Sequence, residues 1–256
     1  LDSFDNFQVL GTVAVANALL GCPLRIVKVV AAGGRRILDM LPRYPTEVAP
    51  LRPKIVFVNL GHNDLKGLYN NTSDQRSIGP TEIQRELAYL KERFRVWLKE
   101  DVSADTLVVL MAETPPGVSP TGAVSVNNHV NLSVRYQKWN RIMEKFVSDL
   151  DAKNVMFVPI DRATIDSTSL TMKNKAGHYY DTVHPGIVGT FARANFLTSY
   201  LTRILPVFTD RLPTWHGDSY TASKIATIAA PTFSNGLCTV LFDNTKIGDW
   251  RKIEVG

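Results

Sequence analysis

Apolar positions along the chain follow two rhythms. Ile55 to Leu60, Thr106 to Ala112 and Val155 to Ile160 are short runs, almost unbroken by polar residues. They predict strands buried on both faces. The stretches between them carry a single apolar stripe. Ile83, Leu87, Leu90, Phe94 and Trp97 recur at helical spacing, as do Tyr136, Trp139, Met143, Phe146, Val147 and Leu150. Both stripes predict amphipathic helices. Thr81 and Gln84 have the spacing of a capping box at the start of the first. Residues 7–20 are apolar without alternation and end at Gly21 and Pro23, which predicts a buried helix with a glycine end. The β-branched run Arg25 to Val30 predicts a further strand, broken by Gly33-Gly34. Ile37, Leu38 and Leu41 open a helix that Pro42 and Pro45 distort, and Ile187 to Leu205 is the last clear helix. Loops are expected at 66–79, from Glu113 to Asn131, and up to Asp181.

Strands alternating with helices imply right-handed crossovers and a parallel sheet covered on both faces. We therefore expect an α/β fold, a three-layer α/β/α sandwich, over residues 1–206. After Pro206 the texture changes to Thr/Ser-rich segments with turn pairs such as Asn235-Gly236. Residues 207–256 are expected to form a small β-rich appended segment, an incomplete second domain.

Composition narrows the field. A chain of 256 residues, 45% of them apolar, can bury one sizeable core. The formal net charge is +5, yet no long Lys/Arg block occurs, so no nucleic-acid partner is expected. No apolar run reaches membrane length, so no membrane partner is expected either. Cys22 and Cys238 lie far apart and show no metal-ligand spacing. The chain opens at Leu1 and enters structure almost at once; we expect it to be a piece or processed product of a longer one.

Two polar clusters carry candidate chemistry. The Ile55–Leu60 run ends in Gly61-His62-Asn63-Asp64, at the carboxyl end of a strand, where open α/β sheets place their ligands. Near the end of the α/β region, Asp181 and His184 stand three apart just before a helix. One short turn could set them side by side, the Asp fixing the tautomer of a His poised as general base. His178, Asp181 and His184 also recur every three residues, a spacing that could wrap a divalent ion. Two intervening tyrosines and the lack of a second acidic cluster argue against it, and no metal or cofactor is expected. Glu113, ahead of Pro115-Pro116, reads as a solvated loop carboxylate at the cleft edge, and Arg35-Arg36 as a solvated helix start.

Taken in order, Gly34, Gly61-His62-Asn63-Asp64 and Asp181-Thr182-Val183-His184 resemble three of the four motif blocks of the SGNH, or GDSL-like, hydrolases. The likeness covers roughly residues 1–205, and a helix after His184-Pro185-Gly186 is the family's usual ending. It implies a flavodoxin-like sheet and ester hydrolysis without a cofactor. His184 would be the general base and Asp181 its orienting partner. The Gly34 backbone N–H and the Asn63 side-chain amide would be oxyanion-hole donors. Asp64 would brace the turn, and His62 would only line the site. The first block, Gly-Asp-Ser, is met imperfectly by Leu1-Asp2-Ser3, so the nucleophile is either Ser3 or a serine upstream of residue 1. A literal Gly217-Asp218-Ser219 follows the Asp/His block instead of preceding everything, and reads as a decoy.

The resemblance extends to bacterial and phage members with an appended β-rich module. It implies an acylated carbohydrate or small ester as substrate, an extracellular or virion-associated location, and a trimer if the chain belongs to a phage tail protein. The competing reading is a non-catalytic carbohydrate-binding or structural module on the same fold.

Overall fold

The computed structural model describes residues 3–21, 24–31, 34–67, 80–115, 126–150, 152–165 and 185–208. Among the described residues three parallel strands form a sheet, in the order β1 (Ile55–Val58), β2 (Leu107–Met111), β3 (Val155–Val158). Ile55 pairs with Leu107, and Val108 with Val155, so the strands advance in step. The chain reaches β2 through helix α5 (Pro80–Glu100) and β3 through α6 (Val126–Asp149). These are the crossovers a parallel sheet requires.

The period of a strand sorts its side chains into two cores. Val108 and Leu110 of β2 face one layer, with Leu87, Leu90, Phe94 and Trp97 of α5 and Tyr136, Trp139, Met143 and Phe146 of α6. Leu107, Val109 and Met111 face the other, where α1 (Ser3–Leu19) brings Val13, Val15 and Ala16, and α7 (Ile187–Phe208) brings Ala194, Leu197, Leu201 and Leu205. The result is the expected three-layer α/β/α sandwich. The aromatic stripes of α5 and α6 lie on one side of the sheet; on the other, aliphatic and small residues form the buried centre, with Phe191, Phe196 and Tyr200 of α7 packed against it.

Several local expectations are corrected. Every residue of β2 is buried, but β1 and β3 are only partly covered, because each is an outer strand of the described sheet. Arg25 to Val30 forms no strand: it makes no ladder, and Ile26, Val27 and Val29 are exposed. A β-branched run predisposes the backbone to extension but supplies no partner to pair with. Helix α5 begins at Pro80, so Thr81 lies inside the helix and does not cap it. Proline suits a first helical position, where its missing N–H has no intrahelical acceptor. Helix α6 begins at Val126, taking in the last six residues of an expected loop. Helix α7 runs through Pro206 to Phe208, three residues past its expected end at Leu205.

Other expectations hold. The prolines break residues 37–51 into α2 (Ile37–Met40), a 3-10 turn, α3 (Tyr44–Glu47) and a second 3-10 turn. Helix α1 ends at Gly21, in the left-handed region with φ +82°. Its buried Asn17 then grips the following chain: its amide donates to the Leu24 carbonyl, and its Oδ1 accepts the Leu24 N–H, both at 2.8 Å. Residues 209–256, and with them the expected β-rich segment and Ser219, lie outside the described residues.

Candidate active site

The site is assembled where β1 ends. Val58 is followed by Asn59, Leu60 and a buried Gly61, and helix α4 (His62–Gly67) starts at once. Gly61 has φ +140°, and a Cβ there would stand 2.9 Å from the Trp139 indole nitrogen and 3.3 Å from the Glu113 Cγ. Conformation and space both demand glycine. The turn is closed by the Leu65 N–H donating to the Gly61 carbonyl at 2.8 Å.

Two side chains of this turn reach back to the loop before α2. The Asn63 amide donates to the Arg35 carbonyl at 2.9 Å. Asp64 Oδ2 accepts the Ile37 N–H at 3.0 Å, satisfying a donor at the start of α2. Gly34, one residue before Arg35, is exposed with φ +71°, and a Cβ there would meet nothing within 4 Å. The structure thus brings together the Gly34 loop and the Asn63 turn, two of the expected site elements. Asp64 braces them as expected. Its carboxyl is raised above the ordinary range by burial, against the opposing pull of the Ile37 N–H and Arg36. Arg36 precedes α2 at an exposed N-cap position, consistent with a solvated helix start.

Ser3 is the first residue of α1. Asp181 and His184 lie outside the described residues, as does His178, so the Ser3–Asp181–His184 constellation is not among the geometry described. Pro185 and Gly186 lead directly into α7, with the Thr190 N–H on the Gly186 carbonyl at 2.9 Å. Among the described residues no group of three His, Cys, Asp or Glu side chains could hold a metal ion. Among them, too, no helix is long and apolar enough to cross a membrane.

Two residues carry more than the sequence indicates. His62 is half-buried, with its Nδ1 2.6 Å from the hydroxyl of the fully buried Tyr136 on α6. Which of the two donates depends on the imidazole tautomer. Glu113, read as a solvated loop carboxylate, is instead buried directly beneath Gly61. Its Oε1 accepts the Asn59 amide at 3.1 Å, and Asn59 Oδ1 in turn faces the Arg193 Nη2 at 3.5 Å. Asn140 on α6 clasps the Glu113 backbone, accepting its N–H at 2.9 Å and donating to its carbonyl at 2.8 Å, and also donates to Asp161. Burial raises the Glu113 carboxyl to about 8; Arg193 pulls it down and Asp64 pushes it further up.

The polar residues of this network come from the ends of the three described strands (Asn59, Glu113, Asp161) and from α6 and α7 (Asn140, Arg193). Sequence reasoning missed it, although one signal was present. Asn140 and Arg193 fall on the inward faces of their helices, beside Trp139 and one turn before Leu197. A polar residue interrupting an apolar stripe needs a buried partner.

Residues 9–189 match the model of the GDSL-like Lipase/Acylhydrolase family. The chain belongs to that family. Solved structures of similar fold include a catalytic mutant of an acetylxylan esterase from Geobacillus stearothermophilus, 18% identical, with a TM-score of 0.51 over 77% of this chain and 80% of that one. A GDSL-like lipase from Bacteroides thetaiotaomicron is 15% identical, with a TM-score of 0.50 over 79% of this chain and 85% of that one. A further protein, from Bacteroides fragilis and titled as an acylhydrolase, is 16% identical, with a TM-score of 0.53 over 77% and 84%. At these identities the likeness establishes the fold. No curated protein matches the chain. Membership places the turn Gly61-His62-Asn63-Asp64 in a family of ester-cleaving hydrolases, and the SGNH resemblance of the sequence stands.

Proposed function

We propose that the chain is a serine esterase that removes an O-acyl group, in the first instance O-acetyl, from a carbohydrate. The observation that carries this reading is the hydrogen bond from Asn63 to the Arg35 carbonyl, which holds the Asn63 amide beside the Gly34 loop. A primary amide has two N–H bonds, so one can hold the loop while the other is offered to a substrate oxygen. Gly34 would contribute its backbone N–H, and each such donor is worth on the order of 3 kcal/mol to an oxyanion transition state.

In the proposed reaction a serine Oγ attacks the ester carbonyl carbon while His184, oriented by Asp181, takes the hydroxyl proton. The tetrahedral oxyanion is held by Gly34 and Asn63. It collapses as the C–O bond to the sugar breaks, and His184 returns the proton to the departing alcohol. Water then repeats the sequence on the acyl-serine and releases the carboxylic acid. No cofactor enters. Ser3 is the proposed nucleophile within this sequence; as the first residue of α1, it lies at the helix end that favours developing negative charge. The carbohydrate assignment draws support from the acetylxylan esterase of similar fold.

Hydrolysis of a simple acetyl ester, with fluorophosphonate labelling and peptide mass spectrometry, tests the proposal. We expect turnover that is abolished by His184→Ala and insensitive to a chelator, and an adduct on Ser3. Turnover that survives His184→Ala would sink the triad. Loss of activity with a chelator would replace it by a metal-dependent hydrolase. An adduct on Ser219 would transfer the nucleophile to a permuted domain order.

A further inference from the structure

We propose that Glu113 is a positioning residue for the Asn63 turn: a strut between Gly61 and the Asn59–Arg193 pair that fixes the height of the turn above the sheet. The catalytic side of this inference rests on the assignment of Asn63 as an oxyanion donor; the structural side does not.

The geometry comes from four directions. Above, the Glu113 side chain lies so close to Gly61 that a methyl group on Gly61 would stand 3.3 Å from Glu113 Cγ. Alongside, Asn59 donates to Glu113 Oε1 at 3.1 Å and to the Met111 and Ala112 carbonyls at 3.4 and 3.2 Å, tying the end of β1 to the end of β2. Below and behind, Asn140 holds the Glu113 backbone from α6 through two hydrogen bonds. Across Asn59 stands Arg193 of α7, fully buried, whose helix begins three residues after His184. A single side chain therefore touches the turn that carries Asn63 and, through Asn59, the helix that follows the proposed base.

A solvated loop could not do this. A buried residue held at its backbone by Asn140 and at its carboxyl by Asn59 has little freedom to move, and what rests on it inherits that position. From Gly61 the constraint passes to Leu65 through the hydrogen bond that closes the turn, and to Ile37 through Asp64. The charged groups around Glu113 are Arg193 from α7 and Asp64 from α4, with Asp161 beyond Asn140. Burial raises the Glu113 carboxyl to about 8, with Arg193 working against the shift and Asp64 with it.

The test uses this chain with Glu113→Ala and Glu113→Gln, and two independent readouts. The first is amide hydrogen exchange at Leu65 and Ile37, relative to Val108 and Val109 in the middle of the sheet. We expect Glu113→Ala to speed exchange at Leu65 and Ile37 at least about tenfold relative to β2, and Glu113→Gln to restore it. The second is turnover of an acetyl ester, where Glu113→Ala should lower kcat about tenfold with KM within twofold, again rescued by Gln. Equal acceleration at all amides, or none at Leu65, would overturn the strut. If the alanine variant does not fold, the glutamine variant decides through its pH profile. Above pH 8 the wild-type turn amides should loosen relative to β2 while those of Glu113→Gln do not, and identical profiles would overturn the proposal. A wild-type chain without esterase activity would defeat the functional reading and leave the exchange arm standing.

Discussion

The two loops that meet at the site are held in opposite ways. The Gly61 turn is enclosed by the sheet end, Trp139 and Glu113, and leaves no room for one more carbon. The Gly34 loop is exposed, open on the side where a Cβ would go, and the side-chain bonds recorded from the Gly61 turn to it come from Asn63 and Asp64. The first is fixed by packing; the second takes its order from the first.

Four experiments would break or sharpen that contrast. The largest effect is expected from the buried acid beneath the enclosed turn. Glu113 has a folded-state value of about 8 against an ordinary value near 4.5, so the folded chain binds the proton more tightly than the unfolded one. Stability should therefore fall as pH rises from about 4.5 to about 8, by no more than about 5 kcal/mol in all, and Glu113→Gln should flatten that slope in urea titrations. An unchanged slope would mean that the carboxyl is not the group enclosed.

Next, Gly61→Ala should cost about 3–4 kcal/mol, since it combines backbone strain with overpacking against Trp139, and the midpoint of denaturation would report it. Third, Asn63→Ala should lower kcat for an ester by roughly a hundredfold, about 3 kcal/mol, while destabilising the fold by less than about 1 kcal/mol. Equal losses in stability and activity would make Asn63 a brace and not a donor. Smallest, Gly34→Ala should cost only about 1 kcal/mol, the strain of a left-handed backbone without a clash. A cost matching that of Gly61→Ala would erase the distinction between the loops.

What the sequence made legible was whatever depends on periodicity. The stripes from Leu87 to Trp97 and from Tyr136 to Phe146 became buried faces, and the runs around Val56, Val109 and Phe157 became strands. The turn Gly61 to Asp64 was also readable, because its residue types answer local geometric needs, while Gly34 was singled out by the order of the family's motif blocks. What stayed hidden was pairing over distance. Arg25 to Val30 looks like a strand from its own residues, yet strandhood belongs to two segments at once. Glu113 looks solvated beside two prolines, and its burial is created by Asn59, Asn140 and Arg193 arriving from three other elements. Thr81 shows the limit at a helix end, where a neighbouring proline decides the boundary.

The contact between His62 and Tyr136 bears on how this sequence could drift. His62 was expected only to line the site, yet its ring nitrogen meets a tyrosine hydroxyl sealed inside the protein. Exchange of His62 for an apolar residue would remove the ring nitrogen and leave the Tyr136 hydroxyl with the backbone carbonyl of that same position, 3.4 Å away. Drift at position 62 is thereby buffered by the backbone of the same residue, a carbonyl that every replacement keeps.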